Sequence, residues 1–395
     1  MLRICRAVIV GSVLTLTVLS GSDRLRSQEP AGNSGALAQG IAEMKRGDLA
    51  ASEKLLKQAI EQYPTSAEPF FWLGVVYLKL DRAVLAESMF LKVLSLRPNY
   101  PEAYTNLGIL YDKQAQYDKS VKAFQQALSV KPDDQKALYN LGVSFLRQTK
   151  PADALECFEK LRHLNPQFSK AYLQEGVADS DLNRLPDAEG VLKKYTEMSP
   201  QDGGGYLKLG EVLYSEGKQK EAIAALQKAT ELSPDMSRAF SQLGDVYYKM
   251  ALFPEANLAL RKAIALDPKN VEADLFLGML LTDEGDRVGA LTCLKRVLEL
   301  QPDNEKAIYY EGYINLLDGR LQAALDRLLD AIRLVPNDEK AYYALALTYS
   351  RMKRPKESED TLRRFRELQI VHSQENNGAE YLSPGSQRGD TLDHR

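Results

Sequence analysis

Asp202-Gly203-Gly204-Gly205 is the stretch of this chain most like a phosphate-cradling loop. Such a loop turns successive backbone N–H groups toward an anion, and it needs a strand before it and Gly-Lys-Ser/Thr after it. Neither is present. The run predicts instead a loosened helix start and a mild hinge between the two halves of the chain, since each glycine costs roughly 0.5–1 kcal/mol relative to alanine in a helix. The histidines His163, His372 and His394 are scattered, and none stands at zinc-ligand spacing from another His or Cys. No zinc-protease, Walker or nucleophile-elbow pattern appears. The reading is of a chain that is not an enzyme and has no cofactor and no metal site.

Charge and cysteine usage narrow the class further. The 395 residues are 44% hydrophobic and 27% charged, with a net charge of −3. Lysine and arginine are spread along the chain without a basic stripe, which argues against nucleic acid. Arg3 and Arg6 precede an uncharged, mostly apolar run from Ala7 to Leu19, and the small residues Ser20, Gly21 and Ser22 follow. That is the pattern of an export signal, residues 1–22, with cleavage after Ser20 or Ser22 and an uncleaved anchor as the competing reading. The run is short for a membrane span of ~20 residues, so no stable span is expected after cleavage. Cleavage removes Arg3 and Arg6 and takes the net charge to −5. The remaining cysteines, Cys157 and Cys293, are too few for a disulfide framework and read as small core residues. The expected location is periplasmic or secreted.

The elements that position any site are set by a repeat. Prolines stand at Pro64, Pro98, Pro132, Pro166, Pro200, Pro234, Pro268, Pro302 and Pro336, always 34 residues apart. Glycines stand at Gly40, Gly74, Gly108, Gly142, Gly176, Gly210, Gly244, Gly278 and Gly312, with the same step. Such a period marks a solenoid, in which each unit buries itself only against its neighbours.

Residues 101–134 show how one unit works. Tyr104, Leu107, Leu110 and Tyr111 recur at helical spacing and predict a first amphipathic helix. A break follows near Ala115, and Val121, Phe124, Ala127, Leu128 and Val130 predict a second. Pro132 ends it, lacking an amide proton and clashing with the preceding turn, and Asp133 and Asp134 are suited to cap the next helix. At the break, other units carry Gly47, Asn183, Gly217, Gly285 or Gly319, residues that tolerate a left-handed conformation. Ala115, Thr149 and Lys353 depart from this and predict a looser or differently closed turn. The repeated glycines, and Ala86, Ala154, Ala188, Ala222, Ala256, Ala290 and Ala324, mark close helix approach. Phe90, Phe124, Phe158, Leu192, Leu226, Leu260, Leu294 and Leu328 fill the adjoining space.

This pattern closely resembles the tetratricopeptide repeat (TPR) family. Residues 67–100 carry Phe70, Leu73, Gly74, Tyr77, Ala86, Phe90 and Pro98. Residues 237–270 carry Phe240, Leu243, Gly244, Tyr247, Ala256, Leu260, Ala263 and Pro268. The fold class is therefore all-α, a solenoid of helix-turn-helix units. The array covers 33–372 in ten units: 33–66, 67–100, 101–134, 135–168, 169–202, 203–236, 237–270, 271–304, 305–338 and 339–372. Residues 33–66 lack the aromatic positions, and 339–372 replace the glycine by Ala346 and the proline by Ile370, so both read as caps. Residues 23–32 read as a linker and 373–395 as a disordered tail.

The resemblance implies a right-handed superhelix whose first helices line a concave groove for a protein or peptide. The family's groove positions fall here on Asn106 and Asn140, whose amides would clamp a ligand backbone, and on Leu275, Met279, Tyr309, Tyr310, Tyr313, Leu316, Tyr343 and Leu347. These apolar and aromatic residues either line the groove or pack between neighbouring first helices. Glu211, Asp245 and Asp283, with Tyr214, Tyr248 and Lys249, form a more acidic middle stretch, read as a solvated face or as a seat for a basic or mixed segment. The function implied is a non-catalytic interaction scaffold; the alternative is an accessory subunit of an envelope polysaccharide or secretion complex.

Overall fold

The computed structural model describes residues 35–377, which form twenty α-helices without a strand among the described residues. The chain divides into two compact units, residues 1–134 and 135–395. The first holds α1 (Ala36–Arg46), α2 (Leu49–Gln62), α3 (Ala67–Lys79), α4 (Ala83–Leu96), α5 (Pro101–Lys113) and α6 (Tyr117–Val130). The second begins with α7 (Gln135–Arg147), α8 (Pro151–Leu164), α9 (Ser169–Asp181), α10 (Leu185–Met198), α11 (Gly203–Ser215), α12 (Gln219–Leu232) and α13 (Ser237–Lys249). It continues with α14 (Phe253–Leu266), α15 (Val271–Glu284), α16 (Arg287–Leu300), α17 (Glu305–Leu317), α18 (Leu321–Leu334), α19 (Glu339–Arg351) and α20 (Pro355–Asn377). The expected signal segment and linker, and everything past residue 377, lie outside the described residues.

Within each unit the odd-numbered helix pairs with the even one after it, and that helix packs on the next odd one. Successive odd helices also touch, as in α13 with α15 and α15 with α17, whereas successive even helices do not touch among the described residues. Each unit's stack is therefore closed along its first helices and splayed along its second, which makes the first-helix face the inner one.

The periodic residues have direct packing reasons. Every second helix from α2 to α18 stops two residues before its proline, because proline holds the residue before it in an extended conformation. Phe90, Phe124, Phe158, Leu260, Leu294 and Leu328 have no exposed surface. A Cβ added at Gly108 would lie 2.5 Å from the Phe124 ring, and one at Gly176 would lie 2.5 Å from Leu192 Cγ. The glycine thus admits the large residue sixteen positions on.

Three expectations are corrected. The turns at Ala115, Thr149 and Lys353 are not looser. All three residues are left-handed, at φ +57°, +58° and +59°, like Asn183 at +58°. They close alike: Ala115 N–H donates to Asp112 O and Gln116 N–H to Tyr111 O, and Thr149 N–H donates to Leu146 O and Lys150 N–H to Phe145 O. These paired bonds satisfy the helix-end carbonyls and hold the conformation whatever the side chain. The left-handed well costs an ordinary residue ~1–2 kcal/mol, and a β-branched one is a clear outlier there. Thr149→Gly is therefore expected to stabilise the protein by ~0.5–1 kcal/mol, once the extra freedom of glycine in the unfolded chain is set against that relief. Hydrogen exchange of the α7 and α8 amides measures this, and slower exchange in the variant is the expected result.

The second correction concerns the glycine run. Gly203 and Gly205 are buried, and a Cβ at either would run into Ser233 or the Tyr195 ring. Asp202 caps α11 through Gly204 N–H at 3.0 Å and accepts the Tyr195 hydroxyl. The glycines serve close packing here, where a hinge was expected. Third, α20 runs to Asn377, so the first five residues of the expected tail are helical. Ile370 replaces the terminating proline, and the sequence offers no breaker before Asn377-Gly378.

Candidate functional site

The expected groove residues lie on first helices but differ in what they present. In the unit of residues 1–134, Asn106 is buried on α5 and donates from Nδ2 to Glu102 O at 2.9 Å. In the unit of residues 135–395, half-buried Asn140 on α7 donates likewise to Lys136 O at 2.7 Å. Each amide gives one N–H to its own helix, a bond within easy reach of a short polar side chain one turn on.

Leu275, Met279 and Leu316 were expected on the groove and are buried, with Leu316 only 1% exposed. Leu275 and Met279 pack in one cluster with Ala307 and Ile314 of α17, and Leu316 packs with Leu325, Leu328 and Leu345. Apolar side chains at these positions fill the seams between neighbouring helices, where burial stabilises them more than a wet groove would. Leu347 is half-buried against the same cluster as Leu316.

The tyrosines remain reachable. Tyr309, Tyr310 and Tyr313 are half-buried, and Tyr343 is 37% exposed with its ring 5.4 Å from Phe365 of α20. The rings of Tyr309 and Tyr313 stack at 6.1 Å and 9°, and Tyr310 meets Tyr309 edge-on at 5.1 Å. Tyr248 of α13 donates to Asp283 Oδ2 of α15 at 2.6 Å and interacts electrostatically with Tyr310 of α17. One polar-aromatic band therefore runs across the inner faces of α13, α15 and α17. Burial pushes the Tyr310 hydroxyl up to about 12, so it stays protonated and able to donate.

Beside this band stands Asp245 of α13, which is 8% exposed and whose buried Oδ1 has no hydrogen-bond partner. Burial raises its carboxyl to about 6, and the nearby charges of Lys249 and Lys306 offset only part of that. Tyr214 of α11 and Glu272 of α15 flank it. The other acids of this stretch are partnered: Glu211 pairs with Lys208 at 2.8 Å and with Arg238 at 2.7 Å. A solvated acidic face was one sequence-based reading of Asp245, and its burial removes that reading. The signal was legible in the sequence: Asp245 follows Gly244 at a position where most other units carry an apolar residue such as Val75, Ile109, Val143, Val177 or Met279, and only Glu211 is another acid.

Cys157 and Cys293 are buried free thiols, and burial raises both, Cys157 to about 12, which disfavours the reactive thiolate. Among the described residues no group of three or more His, Cys, Asp or Glu is placed to hold a metal ion, and no helix is long and apolar enough to cross a membrane.

A tetratricopeptide repeat model matches residues 37–101, 105–168, 144–202 and 281–339, more than half of the chain. The chain belongs to the tetratricopeptide repeat family. Further models of the same description match the TPR array at residues 252–309 and 339–368, and a TPR repeat model matches 204–250. No curated protein matches the chain in sequence. Similar solved structures include a tetratricopeptide repeat protein from Parabacteroides merdae, 18% identical, covering 62% of this chain and 97% of that one, with a TM-score of 0.49. The C-terminal part of a TPR protein from Cytophaga hutchinsonii is 19% identical, over 61% of this chain and 98% of that one, with a TM-score of 0.48. YrrB, a TPR protein with an unusual peptide-binding site, is 23% identical, over 48% of this chain and 98% of that one, with a TM-score of 0.39. TPR proteins bind protein or peptide partners, and the array is a scaffold of that kind.

Proposed function

We propose that the chain is a non-catalytic scaffold that holds an extended protein segment along the inner face of α13, α15, α17 and α19. The observation that carries this reading is the band of half-buried tyrosines, Tyr248 on α13 and Tyr309, Tyr310 and Tyr313 on α17, joined across α15 by Asp283. Tyrosine offers a large rigid surface at small entropic cost together with one hydrogen-bonding hydroxyl, a combination enriched where proteins recognise one another. The band continues toward Tyr343 on α19, so its reach suits an extended segment better than a compact small molecule. Arg3, Arg6 and the apolar run to Leu19 support export of the protein, with its partner met in the periplasm or outside the cell.

The test is recovery of partners from the native envelope fraction by the wild type and by Tyr309→Ala/Tyr313→Ala. Loss of a hot-spot pair costs at least ~2 kcal/mol of binding, or about thirtyfold in affinity. The double variant is expected to lose the partner while keeping its helical circular dichroism. Equal recovery by a folded variant would remove this face as the site.

A further inference from the structure

We infer that Asp245 is the receptor for a basic side chain of the bound segment, an arginine in the first place, seated between the Tyr214 and Tyr248 sides of the inner face. This rests on the groove reading above and deepens it by naming the chemistry of the ligand. Buried acids elsewhere in the same unit show what such a group requires. Asp274, 1% exposed, is met by both arms of Arg296, and Glu175, 3% exposed, by Arg162 at 3.0 Å. Asp179 is also buried, but the charges around it, Asp187, Arg184, Glu159 and Arg162, belong to α8, α10 and the turn before α10. Asp245 alone of these interacts electrostatically with residues of four successive first helices: Tyr214 of α11, its own neighbour Lys249 on α13, Glu272 of α15 and Lys306 of α17. It has none of the donors that Asp274 and Glu175 have.

A buried carboxylate without donors costs free energy that a partner can return. Lys249 and Lys306 do not supply it, because both remain exposed and neither bonds the carboxyl. Glu272 offsets one of the two lysines, so the charges at a distance do not replace a donor bonded to the carboxyl. A guanidinium fits best. It delivers parallel N–H donors to one carboxylate, and it stacks on aromatic rings such as those of Tyr248 and Tyr310.

The groups acting on Asp245 also give the binding a pH signature. A cation bound to the ionised carboxylate requires the proton to leave, and the free carboxyl titrates near about 6. Affinity is therefore flat above pH 7 and falls about tenfold by pH 5, following the ionised fraction.

The experiment pans a random 12-residue peptide display library against the full chain and against Asp245→Asn, an isosteric change whose fold is checked by circular dichroism. Selected peptides are then titrated at pH 7.5 and pH 5.0. Expected are peptides with an arginine or lysine at a recurrent position, about tenfold weaker on Asp245→Asn, and with a pH dependence that the variant loses. Enrichment of peptides without a basic residue, bound equally by both proteins and lost on Tyr309→Ala/Tyr313→Ala, would overturn this inference and leave the groove reading standing. Basic peptides bound equally by Asp245→Asn, with unchanged pH dependence, would also overturn it. No enrichment on the wild type would overturn both.

Discussion

Gly108→Ala is expected to destabilise the protein when Phe124 is present and to stabilise it when Phe124 is alanine. Two effects oppose each other at this helix position. Alanine gains about 1 kcal/mol over glycine in helix propensity. Its Cβ, however, would sit 2.5 Å from a ring that has no exposed surface and no free side to move into. Overpacking of this kind costs ~1–3 kcal/mol, so the net change with Phe124 is a loss of up to ~2 kcal/mol. Phe124→Ala alone is expected to cost ~3–5 kcal/mol through the cavity it opens. Adding Gly108→Ala to that variant puts a methyl into the cavity and returns about 1 kcal/mol. The pair should show an interaction energy well outside additivity. Because each repeat touches only its neighbours, the readout is hydrogen exchange of the α5 and α6 amides, where local opening is seen directly. Additive effects would mean that the ring is not what keeps a side chain from position 108.

This coupling explains why so much of the fold was legible in the sequence. Glycine and its large partner sixteen residues on form one contact repeated in nine of the ten units, so their shared period of 34 is the packing itself written out. The prolines are equally direct, since each acts on the backbone next to it. The turns at Ala115 and Thr149 were not legible because there the backbone bonds of the helix end impose the left-handed residue against its own preference. The glycine run at 203–205 misled for a related reason: its partners, Ser233 and Tyr195, are brought close only by folding.

The site was legible in position but not in exposure. Position in the repeat put Leu275, Met279 and Leu316 on first helices as it did the tyrosines, and nothing in sequence tells how deep each sinks into a seam. Burial separates them, leaving Tyr309, Tyr310, Tyr313 and Tyr343 with surface to offer. Asp245 shows the opposite case. An acid at a position that is apolar in most units is a conflict visible in the sequence, and such conflicts gather at functional positions because stability is given up there.

That loss is measurable. Burial holds the Asp245 carboxyl at about 6, above its ordinary 3.8, with Lys249 and Lys306 only partly countering it and Glu272 adding to it. The folded protein therefore binds this proton more tightly than the unfolded chain does. Stability is unaffected below about pH 3.8 and declines as the pH rises through the window to about 6. Above that, the ionised group imposes a constant cost. At 1.36 kcal/mol per pH unit, the full cost is about 3 kcal/mol. Asp245→Asn keeps the shape and removes the charge, so it is expected to raise unfolding free energy at pH 7.5 by ~1–3 kcal/mol and to leave it unchanged at pH 3.5. Urea unfolding at the two pH values, followed by exchange of the α13 amides, makes the comparison. A variant less stable than wild type at pH 7.5 would mean that the carboxylate already has a partner in the free protein. The expected gain in stability would instead mark Asp245 as a group kept at a loss, and its function would be sought in what it binds.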